Sequence, residues 1–241
     1  MNRHLRMFVG TIAVALTAAC GGGGGDSGAA ASAPPAVAAS GTFPLQSGYQ
    51  NRILAGSTDN FTITGGFCAG TAQTVNGAAV AATFEGVTGF SATQTATVMF
   101  NKNNCSPESS TVTGVNYYDE KYTPIGSSIA GVDYARFLGN RLPLPTAAKV
   151  GDGAIIVTLT YSDSNMNAPK GQRVWSYAVE AETSSTVIAN LIVKTYDTAN
   201  QLLLTQQTRY SVAADGTFTL LTIDVQYSGT AGTVHLLYTK V

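Results

Sequence analysis

Ala154-Ile155-Ile156-Val157-Thr158-Leu159-Thr160-Tyr161 is the stretch that decides the fold. Ile155, Val157, Leu159 and Tyr161 stand at alternate positions, with Thr158 and Thr160 between them. A period of two places one set of side chains on each face of a strand, so this segment predicts a half-buried β-strand. The same reading extends outward in both directions. Val174–Ala181 puts Trp175, Tyr177 and Val179 on one face. Thr186–Tyr196 follows as a strand, then a turn at 197–201. Leu203–Val212 comes next and ends before Asp215-Gly216, a hairpin signal. In Phe218–Tyr227, Leu221, Ile223, Val225 and Tyr227 alternate with Thr222, Asp224 and Gln226. Val234–Val241 completes six strands joined by short loops, which predicts an antiparallel meander.

Toward the N-terminus the pattern is less regular. Phe61–Thr64, Ala79–Phe84, Thr93–Phe100 and Ser110–Tyr118 are the candidate strands. No apolar stripe at three-four spacing runs beyond ten residues, so no helical cover is expected. Leu142-Pro143-Leu144-Pro145 punctuates the chain, because proline donates no ladder hydrogen bond. A subdomain boundary is therefore placed there. It divides an N-terminal β region, 43–141, from a six-stranded C-terminal region, 142–241. The expected fold is all-β: an antiparallel meander forming a sandwich or an open half-barrel.

Composition narrows the function. The chain has 241 residues and a formal net charge of −1 at pH 7. It has no basic run, which excludes a nucleic-acid footprint. Charged residues make up 11% of the chain, against a usual figure of about 25%. Thr, Ser, Gly, Ala and Asn fill the polar positions, as on hydroxyl-covered exported β proteins.

The first residues carry an address. Arg3 and Arg6 are followed by an uncharged stretch, Met7–Ala19, then by Cys20 and five glycines, Gly21–Gly25. A positive tip, a short apolar core and small residues before a cut site form a secretory signal. The core is too short to span a bilayer, which takes about 20 residues. Leu16-Thr17-Ala18-Ala19-Cys20 resembles the lipobox of bacterial lipoproteins, in a broader form with Leu16 four residues before the cysteine. The resemblance implies a signal peptide over 1–19 and a mature Cys20 carrying diacylglycerol and an N-acyl chain such as palmitate. Two or more acyl chains make a stable membrane anchor. Gly21 and Gly22 stand where Asp would favour inner-membrane retention, so the resemblance points to the Gram-negative outer membrane. Residues 20–42 are rich in Gly, Ala, Ser and Pro and read as a flexible tether.

Cys68 and Cys105 are the remaining cysteines. An oxidising periplasm favours pairing them, worth roughly 4 kcal/mol in the chain-entropy description. With no histidine near them they make a poor metal site.

Catalytic constellations are scarce. Once His4 leaves with the signal, His235 is the remaining histidine. A serine–histidine hydrolase and a zinc site would both have to depend on it. Asp119-Glu120 and Glu180 with Glu182 are the carboxylate pairs that could serve a hydrolase. Asp163–Asn167 opens like a calcium loop, but Ala168 stands in the glycine position and Val174 in the glutamate position. Tyr117, Tyr118 and Tyr122 offer stacking surface and hydroxyls for a sugar or peptide.

A transmembrane barrel is the weakest option, because several strands alternate as such barrels do but a lipidated cysteine on a long tether does not suit an embedded protein. Three functions stand ahead of it. The first is a non-catalytic module that binds or scaffolds an envelope protein, glycan or lipid, with no cofactor beyond the lipid on Cys20. The second is a carrier of an apolar ligand in a curved sheet. The third is a carboxylate-only hydrolase.

Overall fold

The structure is a computed structural model that describes residues 39–65, 69–101, 108–229 and 232–241. Cys20, Cys68 and Cys105, and with them the lipidation and disulfide expectations, lie outside the described residues.

The described chain begins with a short lead-in and one helix, α1 (Leu45–Ala55). Strands β1 (Ser57–Thr64), β2 (Gly70–Asn76), β3 (Val80–Phe84), β4 (Val87–Phe100) and β5 (Ser109–Asp119) follow. Next come β6 (Pro124–Ile129), β7 (Asp133–Leu138), β8 (Gly153–Ser162) and β9 (Pro169–Ala181). The chain closes with β10 (Thr186–Tyr196), β11 (Leu202–Ala213), β12 (Phe218–Gly229) and β13 (Gly232–Lys240).

All thirteen strands belong to one antiparallel sheet, and from β4 to β13 each pairs with its sequence neighbour. The sheet then closes on itself. Four residues of β1, Phe61–Thr64, pair with β13, and seven of β2, Gly70–Asn76, pair with β4. Twelve strands thus form a closed barrel, with β3 as an extra strand. The fold is all-β and antiparallel as expected, but it is a closed barrel and not a sandwich or an open half-barrel. Pairing the two ends of the meander removes the exposed edges that an open sheet would carry. β3 continues along β4 in the direction of β2, from Val80↔Ser91 to Phe84↔Val87, after a break spanned by Gly77 N–H donating to Thr93 O.

Side-chain alternation sets inside and outside. In β1, Asp59, Phe61 and Ile63 are buried, and Asn60, Thr62 and Thr64 are exposed. In β11, Leu204, Gln206, Thr208, Tyr210 and Val212 face inward. Two bulges correct the simple alternation. A register shift in β8 turns Ile155 outward, 58% exposed, and buries Ile156. A second in β12 makes Leu220, and not Leu221, the inward residue.

Three strands were not legible as such. β2 carries mostly small and polar residues. β6 and β7 are short, and β6 is buried almost throughout, so it shows no alternation. Pro124 is tolerated because it is the first residue of β6.

One end of the barrel is covered, contrary to expectation, by α1 and by the connection between β7 and β8. Phe43 bridges Ala148, and Gln46 N–H donates to Pro145 O at 3.0 Å. The helix C-terminus is tied down by Ala79 N–H, which donates to Ile53 O. Leu142–Pro145 therefore lies in a capping connection, and β7 and β8 pair directly across it. A stripe does exist on α1: Leu45, Gly48, Tyr49, Arg52 and Ile53 follow helical spacing. Gly48 and Arg52 interrupt its apolar character. Gly48 is required by close approach, since a Cβ there would lie 2.2 Å from Gly216 O.

A cavity inside the capped barrel

Beneath α1 the barrel interior holds a cavity of about 110 Å³. The helix contributes Tyr49, Arg52 and Ile53, and Gly77 and the inward faces of eight strands contribute the rest. The aliphatic wall includes Leu191, Val193, Leu220 and Ile223, and the aromatic wall Tyr118, Trp175 and Tyr210.

At the helix end a buried ionic network closes the space. Asp59, 1% exposed, is paired with Arg52 and also accepts from Ser57 Oγ at 3.0 Å. Lys240 Nζ reaches its other oxygen at 2.8 Å. Asn76 donates to Ser57 Oγ at 3.0 Å, and Gln94 Nε2 donates to Asn76 Oδ1 at 2.9 Å. Burial alone would raise the Asp59 pKa. The Lys240 hydrogen bond, the Arg52 charge and the Ser57 hydroxyl together outweigh it, so the carboxyl titrates below its ordinary value. Arg52 also lies over the Tyr210 ring, 5.3 Å from its centroid.

The tyrosines stay neutral. Burial pushes the Tyr49, Tyr118 and Tyr210 hydroxyls upward, and for Tyr49 the neighbouring Tyr118 and Tyr210 add to the shift. Three polar atoms around the cavity have no hydrogen-bond partner among the described residues: Gln94 Oε1, Gln206 Oε1 and Trp175 Nε1. Gln206 is 1% exposed, and its amide nitrogen donates to Thr208 Oγ1 at 3.2 Å. Buried groups of this kind are normally satisfied, by protein groups or by ordered water.

Of the tyrosine patch expected from sequence, the structure brings only part to this site. Tyr118 lines the cavity and shares a buried cluster with Ile53, Ala92 and Tyr122. Tyr122 stacks on Phe90 at 4.6 Å, whereas Tyr117 stacks on Phe84 at 4.1 Å. None of the carboxylates singled out from sequence, Asp119, Glu120, Glu180 and Glu182, lines this cavity; Glu120 lies beside Asp119 on a separate surface depression, and the other three hold partners within the fold. Glu180 pairs with Arg209 at 2.5 Å and accepts from Asn190 at 2.9 Å. Glu182 accepts from Ser211. Asp119 accepts the N–H groups of Lys121 and Thr123, each at 2.9 Å, and so closes the β5–β6 turn. His235 pairs with Asp224 at 2.9 Å, half exposed. Asp163 Oδ1 accepts the N–H groups of Asn167 and Ala168, an Asx-type loop.

The cavity residues escaped the sequence reading because they are scattered along the chain. One signal was available: in β11 the inward run Leu204, Gln206, Thr208, Tyr210, Val212 carries two polar residues where apolar ones are expected.

Fold and cavity together define a class: a closed antiparallel barrel, capped by a helix, with a polar-lined internal space. The chain matches no protein-family model, no curated protein and no solved structure.

Proposed function

We propose that this chain is a lipoprotein tethered to a Gram-negative outer membrane through Cys20, and that its barrel is a non-catalytic module binding a small envelope ligand beneath α1. The observation that carries the binding reading is the set of three buried, unpartnered polar atoms around one amphipathic cavity. The non-catalytic reading is supported by the acids: Asp59, Asp119, Glu180 and Glu182 are each engaged by partners that hold the fold.

The tether reading is supported by the lipobox-like residues 16–20 and by the character of the wall. A membrane-embedded barrel needs an apolar outward band. Here outward residues of β1, β4 and β5 include Thr62, Thr64, Thr95, Thr97, Thr111 and Thr113, two pairs of which hydrogen-bond across strands. Membrane attachment would then fall to the lipid. The same compartment favours the Cys68–Cys105 bridge. Asn101 N–H donates to Ala69 O at 2.8 Å, which joins the residues beside the two cysteine-bearing segments.

A lipid carrier is the second reading, and the cap over the barrel favours it. The interior volume weighs against it: about 110 Å³ is below the roughly 150 Å³ of a cavity that holds one benzene, which is short for an acyl chain.

Radiolabelled palmitate should enter the wild-type chain and not Cys20→Ser, and loss of the acyl group should release the protein from envelope lipids. Incorporation into both forms, or continued partitioning of Cys20→Ser with lipid, rejects the tether. Native mass spectrometry of the protein purified from envelopes should show a small adduct lost on unfolding; a bare mass in every preparation counts against binding.

A further inference from the structure

We infer that the cavity takes a neutral, ring-shaped hydrogen-bond donor of about six or seven heavy atoms, of the phenol class; this rests on the cavity being a binding site. Size comes first. The volume is about 110 Å³, and an apolar cavity of about 150 Å³ holds benzene. The space here is smaller, so one six-membered ring with a single polar substituent is the upper limit, and it enters only as the wall gives slightly.

Polarity comes second. Two of the three unmet atoms are amide oxygens. The Gln94 oxygen is fixed as an acceptor because its amide nitrogen already donates to Asn76. The third is the Trp175 indole N–H, which can only donate. A ligand hydroxyl meets both needs, donating to a glutamine oxygen and accepting from the indole. The ring would lie against Trp175, Tyr118, Leu191 and Ile223, where aromatic and aliphatic walls favour a flat apolar body.

Charge comes third. Arg52 and Lys240 share the single carboxylate of Asp59, which leaves one positive charge in excess. The Lys240 side chain is 33% exposed, so water solvates that excess. Arg52 is already held by Asp59 and Ser57. An anion would have only that solvated excess to draw on and a cation none, and either would be stripped of water, which is costly. A neutral ligand avoids this.

The chain has one tryptophan, Trp175, and it lines the cavity, so its fluorescence reports occupancy. The purified full chain is titrated with phenol, benzene and benzoate, under selective indole excitation and in parallel by calorimetry. Phenol should saturate, change Trp175 emission and raise the Tm. Benzene and benzoate should each bind at least about tenfold more weakly, the weight of one net hydrogen bond or of a desolvated charge. Gln206→Leu should weaken phenol by about the same factor and leave benzene unchanged. Trp175→Phe, read by calorimetry, should do likewise, which covers the case in which Gln206→Leu fails to fold. If benzene equals phenol, the hydrogen-bond argument is overturned while the cavity remains a binding site. If benzoate binds tightest, the neutrality argument is overturned. If no probe saturates and the Tm stays fixed, the ring-ligand inference is overturned, while the binding reading stands or falls on the adduct sought by native mass spectrometry.

Discussion

Two acid–base groupings sit on opposite faces of the barrel wall, and they are not equivalent. Inside, Asp59 is held by Arg52, Lys240 and Ser57, with 2% of its side chain exposed. Outside, Glu180 is held by Arg209 and Asn190, and its side chain is 38% exposed. Both acids have a guanidinium and further hydrogen-bonding partners. The difference is water. The outer pair can exchange its partner for solvent at little cost. The inner group cannot, so each member is needed to neutralise the others. Side-chain type alone does not tell which acid matters; strand parity does.

Removing the inner acid tests this most severely. Asp59→Ala would leave Arg52 and Lys240 facing each other without a counter-charge, and should cost about 3–5 kcal/mol in urea unfolding. A cost near zero would mean that water enters the capped end and that the two faces are alike.

Acid should act on the same group without mutation. The Asp59 pKa is lowered in the fold, against about 3.9 when unfolded. The native state therefore prefers the ionised form. Its contribution is complete above the unfolded value and is lost as pH falls through about 4 toward the lower folded value. Stability measured from pH 6 to 2 should fall more steeply for wild type than for Asp59→Asn, and equal slopes would remove Asp59 as the cause.

Gly48→Ala probes the helix that delivers Arg52. A Cβ there would meet Gly216 O at 2.2 Å and Phe218 Cδ2 at 2.5 Å. Overpacking of this kind costs about 1–3 kcal/mol, and the displaced helix should also shift Trp175 emission. An unchanged spectrum would show that the cap tolerates displacement.

Glu180→Ala is the smallest expected effect, roughly 0–1 kcal/mol, further reduced by salt. A loss as large as that of Asp59→Ala would break the comparison outright.

The six C-terminal strands were legible because each is a short run bounded by turn residues, and Ala154–Tyr161 and Phe218–Tyr227 also alternate apart from one bulge each. Closure was not legible, since it depends on pairing Phe61–Thr64 with residues near the other end of the chain. The cap was hidden because two of five stripe positions on α1 are Gly48 and Arg52, whose roles are close approach and ion pairing and not burial of apolar surface. The cavity was half visible. Trp175 and Tyr118 were noticed as aromatic residues, but Gln94, Gln206 and Asp59 become meaningful only once the barrel has an inside.

The seam between β1 and β13 imposes an order of arrival. β1 stands near the start of the barrel, and its partner Leu237–Lys240 follows it only after eleven intervening strands. Until that partner docks, β1 and β12 each present an open row of backbone donors and acceptors to any neighbouring chain. Contacts so distant in sequence also form slowly. The hazard for this protein is thus concentrated in the interval before β13 docks on β1, and a holding chaperone that masks strand edges would act in that interval.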